Sequence, residues 1–98
     1  MNNQQQGQQI QIKINDETAK GHYANAMMVN HSKEEFVLDF MSIFGGQGVV
    51  NSRVVISPGH FKRVISALVD NLKKYEDQFG KIQEAKDLGM DKEIGFKG

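Results

Sequence analysis

Cysteine and tryptophan are absent from this chain, and its charges cancel, since 12 basic residues stand against 12 acidic ones. Without cysteine the protein has no disulfides, no thiol chemistry and no thiolate metal site. Without net charge it has no overall field that attracts nucleic acid or an anionic membrane, so we expect neither among its partners.

Long apolar runs are also missing. No stretch approaches the length of a membrane span, and the first residues lack the charged-then-apolar pattern of a secretion signal. We therefore expect a cytoplasmic protein. Proline occurs once, at position 58, where it marks the start of the clearest element of the chain.

Residues 58–79 are predicted to form one long amphipathic helix. Ser57 is a favourable N-cap, proline suits the first helical position, and Gly80 is a common left-handed stop. The large apolar residues of this stretch recur at alternating spacings of four and three residues, a heptad-like period of 3.5: Phe61, Ile65, Leu68, Leu72, Tyr75 and Phe79. We call these six residues the helix seam. We expect one face of a sheet to cover the seam, and a second copy of the chain to meet part of it.

Four strands are predicted before the helix, near residues 10–14, 22–29, 36–44 and 48–56. Isoleucines alternate with polar residues in the first, which is typical of a half-buried strand. The second is rich in alanine and methionine, which leaves a helix open as an alternative. The sequence thus predicts an α+β fold, with an antiparallel sheet of about four strands and a C-terminal helix packed on one face.

The two central strands also suggest a register. Folding the chain symmetrically about Gly46 pairs residues whose numbers sum to 92. Asp39 then lies opposite Arg53, and the apolar residues of the two strands face one another. We expect this charged pair on the sheet face away from the helix, with Leu38 and Val54 against the helix seam.

The ordered domain is predicted to span residues 10–80. Residues 1–9 are rich in glutamine and are expected to be a disordered leader, because nothing in them offsets the entropy of ordering. Residues 81–98 are polar with scattered apolar side chains, and we expect a flexible tail that could also dock on a partner.

A series of short segments resembles a known family. The matching segments are Tyr23-Ala24-Asn25, His31-Ser32, Glu35–Phe40, Arg53–Pro58, Tyr75-Glu76 and Phe79-Gly80. Together, over residues 22–80, they are similar to the domain-of-unknown-function 3467 family of short prokaryotic proteins. The resemblance implies a shared fold and supplies no reaction. This chain departs from it in having only four residues, 45–48, between its central strands, where such a loop can be longer.

The order of several strands followed by one long helix is also similar to that of the SecB-type export chaperones. That likeness rests on topology alone, which is weak evidence for function.

No catalytic, cofactor-binding or metal site is predicted. His22, His31 and His60 lack the spacing of metal ligands, and we interpret them as surface or turn residues. The glycine-rich loop at 45–48 leads into a strand rather than a helix, so it is a hairpin loop and no phosphate site. Ser57 is interpreted as a cap, since no base is apparent near it.

Two carboxylates are candidates for chemistry, Asp39 and Glu76. Asp39 could act as a general base, but Arg53 opposite it favours a structural ion pair. Glu76 lies at the edge of the helix seam and is interpreted as a contact near the helix end, with a buried functional carboxylate as the alternative.

Surplus apolar surface is the strongest functional indication. The candidate interface consists of Val37, Met41, Ile43, Val49 and Val55 on the second sheet face, with Leu72, Tyr75 and Phe79 on the helix. One small monomer cannot cover both surfaces, so we expect a homodimer or larger assembly. The favoured function is a non-catalytic, homo-oligomeric protein-binding module, chaperone-like or adaptor-like, for which Met27, Met28 and Met41 would give a yielding surface.

A small nucleic-acid-associated regulator is the alternative function, since short strand-plus-helix dimers do bind DNA. An enzyme ranks third; it would require a polar pocket that gathers His22, Asp39 or Glu76.

Overall fold

A computed structural model describes residues 9–86 of the chain. Within them the elements are α1 (Asp16–Ala19), β1 (Ala26–His31), β2 (Phe36–Phe44), β3 (Gln47–Ile56) and α2 (Pro58–Phe79). The strands form one antiparallel sheet in the order β1-β2-β3, which places β2 in the centre and leaves β1 and β3 as edges. The predicted α+β class and C-terminal helix are confirmed. Nearly all of the predicted leader and most of the predicted tail lie outside the described residues.

The first of the four predicted strands, residues 10–14, is not part of this sheet. Its isoleucines are exposed, and no strand is formed there. The alternation is typical of a strand, but a strand also needs a neighbouring edge to pair with, and this segment has none in the described sheet. The next residues form the short helix α1. It begins after Asn15, whose side chain accepts a hydrogen bond from the Thr18 amide.

The first strand of the sheet is displaced from its predicted position. It begins at Ala26 instead of residue 22 and continues to His31, so the helical alternative for 22–29 is wrong. The main chain turns after it, where the Ser32 amide donates to the carbonyl of Glu35 at 2.9 Å.

The β2–β3 hairpin follows the predicted register only in the half that is far from the turn. Phe36 to Phe40 pair with Ile56 to Ser52, which is the register whose numbers sum to 92. A β-bulge then interrupts the ladder, because Met41 pairs with Val50 and leaves Asn51 as the extra residue. The turn itself has two residues, Gly45 and Gly46, with φ of 58° and 83°. Both angles are positive, as glycine readily allows, and a two-residue hairpin loop of this kind suits the twist of the strands.

The bulge also moves Val49 to the other face of the sheet. Opposed residues share a face, and Val49 is opposite Ser42, whereas the sequence placed it opposite Ile43. The prediction that Val49 belongs with Met41 and Ile43 is therefore wrong, and Val50 takes its place.

The buried core of the described residues is small. Its apolar members are Leu38 and Met41, and Asp39 between them is fully buried. All three belong to β2, which has a neighbouring strand on each side. Side chains alternate along a strand, so Leu38 lies on one face of the sheet and the other two on the opposite face.

The long helix has the predicted bounds. The Ser57 side chain caps it by accepting from the His60 amide at 3.2 Å, with proline at its first position and Gly80 after its end. Its first turns approach the sheet, where the rings of Phe61 and Phe36 stack with centroids 3.9 Å apart and planes 5° from parallel.

Beyond its first turns α2 is not covered by the sheet, so the predicted packing along one face is wrong for most of its length. Phe61 and Val64 are half-buried, and no residue of the helix is buried. A 3.5-residue period indicates that a face needs cover, but it does not identify the element that supplies it.

Among the described residues, no helix is long and apolar enough to cross a membrane.

Candidate functional site

The ion pair of the hairpin is the best-defined polar site. Arg53 donates from Nε to Oδ1 of Asp39 at 2.7 Å and from Nη2 to Oδ2 at 2.8 Å. This two-pronged geometry matches the planar guanidinium to the planar carboxylate. The Asp39 side chain is 1% exposed and that of Arg53 61% exposed, so the arginine closes over the carboxylate from the solvent side.

The pair determines the charge state of its members. The hydrogen bond from Arg53 is the main cause that lowers the pKa of Asp39; burial opposes it, and the positive charge of the guanidinium reinforces it. The same hydrogen bond, together with the negative charge of the carboxylate, raises the pKa of Arg53. A general base needs a pKa near neutrality and free lone pairs. Asp39 has a lowered pKa and both its oxygens engaged, so the geometry is that of a structural pair.

The pair lies on the sheet face opposite the helix. Phe36, which stacks on Phe61, is three residues before Asp39 on the same strand and therefore points to the other face. On its own face Asp39 is flanked by Met28 of β1 and by Arg53 of β3. The central carboxylate thus lies between one apolar and one basic residue of the neighbouring strands.

A second polar cluster, which the sequence did not indicate as a unit, surrounds Asn25. Its side-chain oxygen accepts from the Ile43 amide at 2.9 Å, and its side-chain nitrogen donates to the Ile43 carbonyl at 3.0 Å. The amide group thereby pairs with β2 as a strand backbone would. The main-chain amide of Asn25 also donates to the Met41 carbonyl at 3.0 Å, which extends the ladder by one residue before β1.

The bulge residue Asn51 completes this cluster. Its side-chain nitrogen donates to the Tyr23 carbonyl at 2.6 Å and to the Ser42 hydroxyl at 2.7 Å. Ser42 in turn donates to the Tyr23 carbonyl at 2.9 Å, and the Tyr23 ring stacks near Phe44, with centroids 6.3 Å apart. These hydrogen bonds attach Tyr23, which precedes β1, to both β2 and β3. A period-2 pattern carries no signal for such an anchor, because each asparagine bonds a distant backbone group.

The three histidines belong to different parts of the fold. His22 is exposed before β1, His31 ends β1 with its ring near Phe36, and His60 in the first turn of α2 accepts from Nε of Arg63 at 3.2 Å. Within the part of the chain that the structure covers, no three His, Asp or Glu side chains are grouped so as to hold a metal ion.

Glu76 has a contact near the end of the helix. Its Oε2 accepts from the Ile82 amide at 3.0 Å, which fastens the chain just after the helix, and its carbonyl accepts from the Gly80 amide at 2.9 Å. The carboxylate therefore has a structural contact in this structure, and it is only half-buried.

The candidate interface residues of the sheet differ in how accessible they are. Val37 and Ile43 are half-buried, and Met41 is only 3% exposed, so it is already covered inside the chain. Val55 is exposed on the same face, while Val49 is exposed on the other. Met41 is therefore not accessible to a partner. Of the three methionines predicted to form a deformable apolar surface, only Met27 is exposed.

The helix seam is the larger apolar surface. Leu68 and Phe79 are each 65% exposed, and the remaining large apolar residues beyond the second turn are exposed as well: Ile65, Val69, Leu72 and Tyr75. The predicted interface residues of the helix thus lie together on one exposed face. The Tyr75 and Phe79 rings contact each other at 5.0 Å between centroids and form the distal end of this surface.

Comparison with known proteins identifies the family. The family model described as a protein of unknown function, DUF3467, matches residues 1–84, and the chain belongs to that family. No similar protein was found among curated sequences. No solved structure matched the chain either.

Proposed function

We propose that this protein is a non-catalytic, homo-oligomeric protein-binding module, and that the helix seam is the surface through which its copies assemble. The observation that carries the proposal is the exposure of the seam from Ile65 to Phe79. Large apolar side chains in one row are unusual on the surface of a soluble monomer and mark interaction sites.

The area of this surface suits a second copy of the chain. Five seam residues beyond the second turn contribute to it, together with the exposed Val69 beside them: Ile65, Leu68, Leu72, Tyr75 and Phe79. At roughly 150–250 Å² for a fully exposed large side chain, their exposed fractions correspond to about 600 Å². A standard interface buries about 800 Å² on each partner, so two seams, one from each copy, come close to a complete interface.

The free energy involved is large for a chain of this size. At about 25 cal/mol per Å², covering about 600 Å² corresponds to on the order of 15 kcal/mol for each copy. The whole stability of a small domain is about 5–15 kcal/mol. Since the apolar core within one copy consists of Leu38 and Met41 in the described residues, association would contribute much of what holds the fold together.

The spacing of the seam favours a helix as its partner. A period of 3.5 residues keeps apolar side chains in one line along two helices that pack side by side. A two-fold axis between two copies lets the same surface serve on both, which is the commonest arrangement of homodimers. We therefore place α2 of a second copy against α2 of the first.

Sedimentation equilibrium at micromolar concentration tests the proposal. We expect a mass of at least twice the 11.0 kDa of one chain. A folded protein, with the circular dichroism of an α+β fold and a mass of 11.0 kDa, would contradict it.

A further inference from the structure

We infer that residues 10–14 of one copy form a fourth strand on the free edge of β1 in a second copy. The inference rests on the proposed self-association and adds to it an exchange of strands between copies. It starts from a mismatch between sequence and structure. Ile10, Ile12 and Ile14 alternate with polar residues as in a strand, yet Ile10 and Ile12 are 87% and 89% exposed. Among residues 9–86 the segment has no paired strand in its own chain.

The sheet has two edges that could receive such a segment. An edge strand presents a row of unpaired amides and carbonyls, and proteins protect such edges with bulges, charges or proline. β3 has two of these features, the bulge at Asn51 and the charge of Arg53. β1 has neither, since its sequence is AMMVNH and its pairing with β2 is regular from Ala26 to His31.

The chemistry of the segment also fits β1 better. With its isoleucines on the helix side of the sheet, the strand would lie beside Met27 and Val29, both of which are exposed there. Its polar residues would then lie on the opposite face. On β1 that face offers Lys13 only neutral neighbours, whereas on β3 it would bring the lysine towards the exposed guanidinium of Arg53.

The path of the chain explains why the segment does not reach its own β1. The Tyr23 carbonyl is fastened to Ser42 of β2 and to Asn51 of β3. The main chain at Tyr23 therefore lies towards β2 and β3, away from the free edge of its own first strand. A second copy, related by a two-fold axis, can offer that edge and receive its own in return.

Pairs of introduced cysteines test the inference. Native thiols cannot cross-link, because the native chain contains no cysteine. Ile12→Cys and Val29→Cys are made in separate chains with different tags, coexpressed and oxidised. We expect the mass to shift from 11.0 kDa for each chain to twice that value, as a disulfide between the two chains. A disulfide requires Cα atoms about 4.4–6.8 Å apart, which neighbouring strands provide. Met27→Cys in place of Val29→Cys covers a register displaced by two residues.

Three controls make the result decisive. Gln11→Cys lies on the opposite face of the segment and should give far less cross-linked product with Val29→Cys. Preferential cross-linking of Ile12→Cys to Val54→Cys would place the strand on β3 and overturn the inference. Closure within one chain, in the variant that carries Ile12→Cys and Val29→Cys together, would overturn it as well.

Sedimentation of the native chain separates this inference from the proposal on which it rests. An oligomeric mass without a disulfide between chains refutes the strand exchange alone. A folded monomer without cross-linking refutes both.

Discussion

Arg53 holds Asp39 with two parallel hydrogen bonds, and the two residues lie directly opposite each other on β2 and β3. The carboxylate is buried at the centre of the sheet, whereas the guanidinium remains in contact with water. Removing the arginine would leave a buried charge without its main partner, which is costly. The pair therefore fixes the register of the hairpin as well as stabilising it.

Acid is expected to weaken the fold through Asp39. The pKa of this carboxyl is lowered from its ordinary value of 3.8, chiefly by the hydrogen bond from Arg53. A lowered pKa in the folded state contributes stability above the unfolded value, and this contribution is lost as the pH falls through the folded value. Asp39→Asn should thus be less stable than the native chain at pH 7, and the difference should shrink as the pH falls from 3.8 through the folded pKa. Urea unfolding of the two proteins at pH 7 and below pH 3.8 measures this difference. Asp70→Asn on the exposed side of α2 is the control, and an equal effect from it would contradict the prediction.

The two-pronged geometry can be tested separately from the charge. Arg53→Lys keeps the positive charge but loses the planar fork, so it should unfold at a temperature between those of the native chain and Arg53→Ala. Thermal unfolding at one fixed protein concentration gives the order. If Arg53→Lys unfolds at the same temperature as the native chain, the positive charge alone is sufficient and the two-pronged geometry contributes nothing to stability.

A charge in the middle of the helix seam should separate the copies. Leu72→Asp places a carboxylate where we expect apolar contact, while Lys73→Asp changes the charge at the neighbouring position outside the seam. We expect a large loss of oligomer mass in sedimentation for Leu72→Asp and none for Lys73→Asp. Leu72→Ser is a milder version in case the charged variant unfolds. An oligomer that survives both seam variants would place the interface elsewhere.

The start of α2 depends on its cap. Ser57→Ala removes the acceptor for the His60 amide and should cost about 1 kcal/mol of unfolding free energy. Ser57→Asp keeps an acceptor and should remain close to the native value. Urea unfolding of the three proteins at equal concentration measures the difference, and equal stability of all three would show that the cap is dispensable.

Two glycines should respond to alanine in opposite directions. Gly46 has φ of 83° in the hairpin turn, where a side chain is disfavoured, so Gly46→Ala should cost about 1–2 kcal/mol. Gly59 lies in the first turn of α2 with open space around it, so Gly59→Ala should stabilise by about 0.5–1 kcal/mol. Thermal unfolding compares the two, and a shift of the same sign in both would contradict this account.

Local signals predicted the parts of the fold that depend on neighbouring residues. The bounds of α2 follow from Ser57 and Gly80, which act within one turn of the helix. The pairing of Asp39 with Arg53 follows from opposite charges on two strands joined by a short loop. These features require no knowledge of distant parts of the chain.

Features that depend on distant partners were not predictable in the same way. The alternation at 10–14 describes a strand but not the edge to which it belongs. The seam of α2 describes an apolar face but not its cover. The extra residue of the bulge, Asn51, contacts the Tyr23 carbonyl, 28 positions away in the sequence. The two-residue turn, by contrast, had a usable signal, because adjacent glycines are typical of such hairpins.

The bulge has a consequence for how the hairpin can change in length. It divides the hairpin into two independently aligned parts, a tip around Gly45 and Gly46 and a base that holds Asp39 against Arg53. Residues inserted at the tip would lengthen an exposed loop without shifting the base. The tip is therefore a place where a fluorescent label or a peptide tag could be introduced while the ion pair stays aligned.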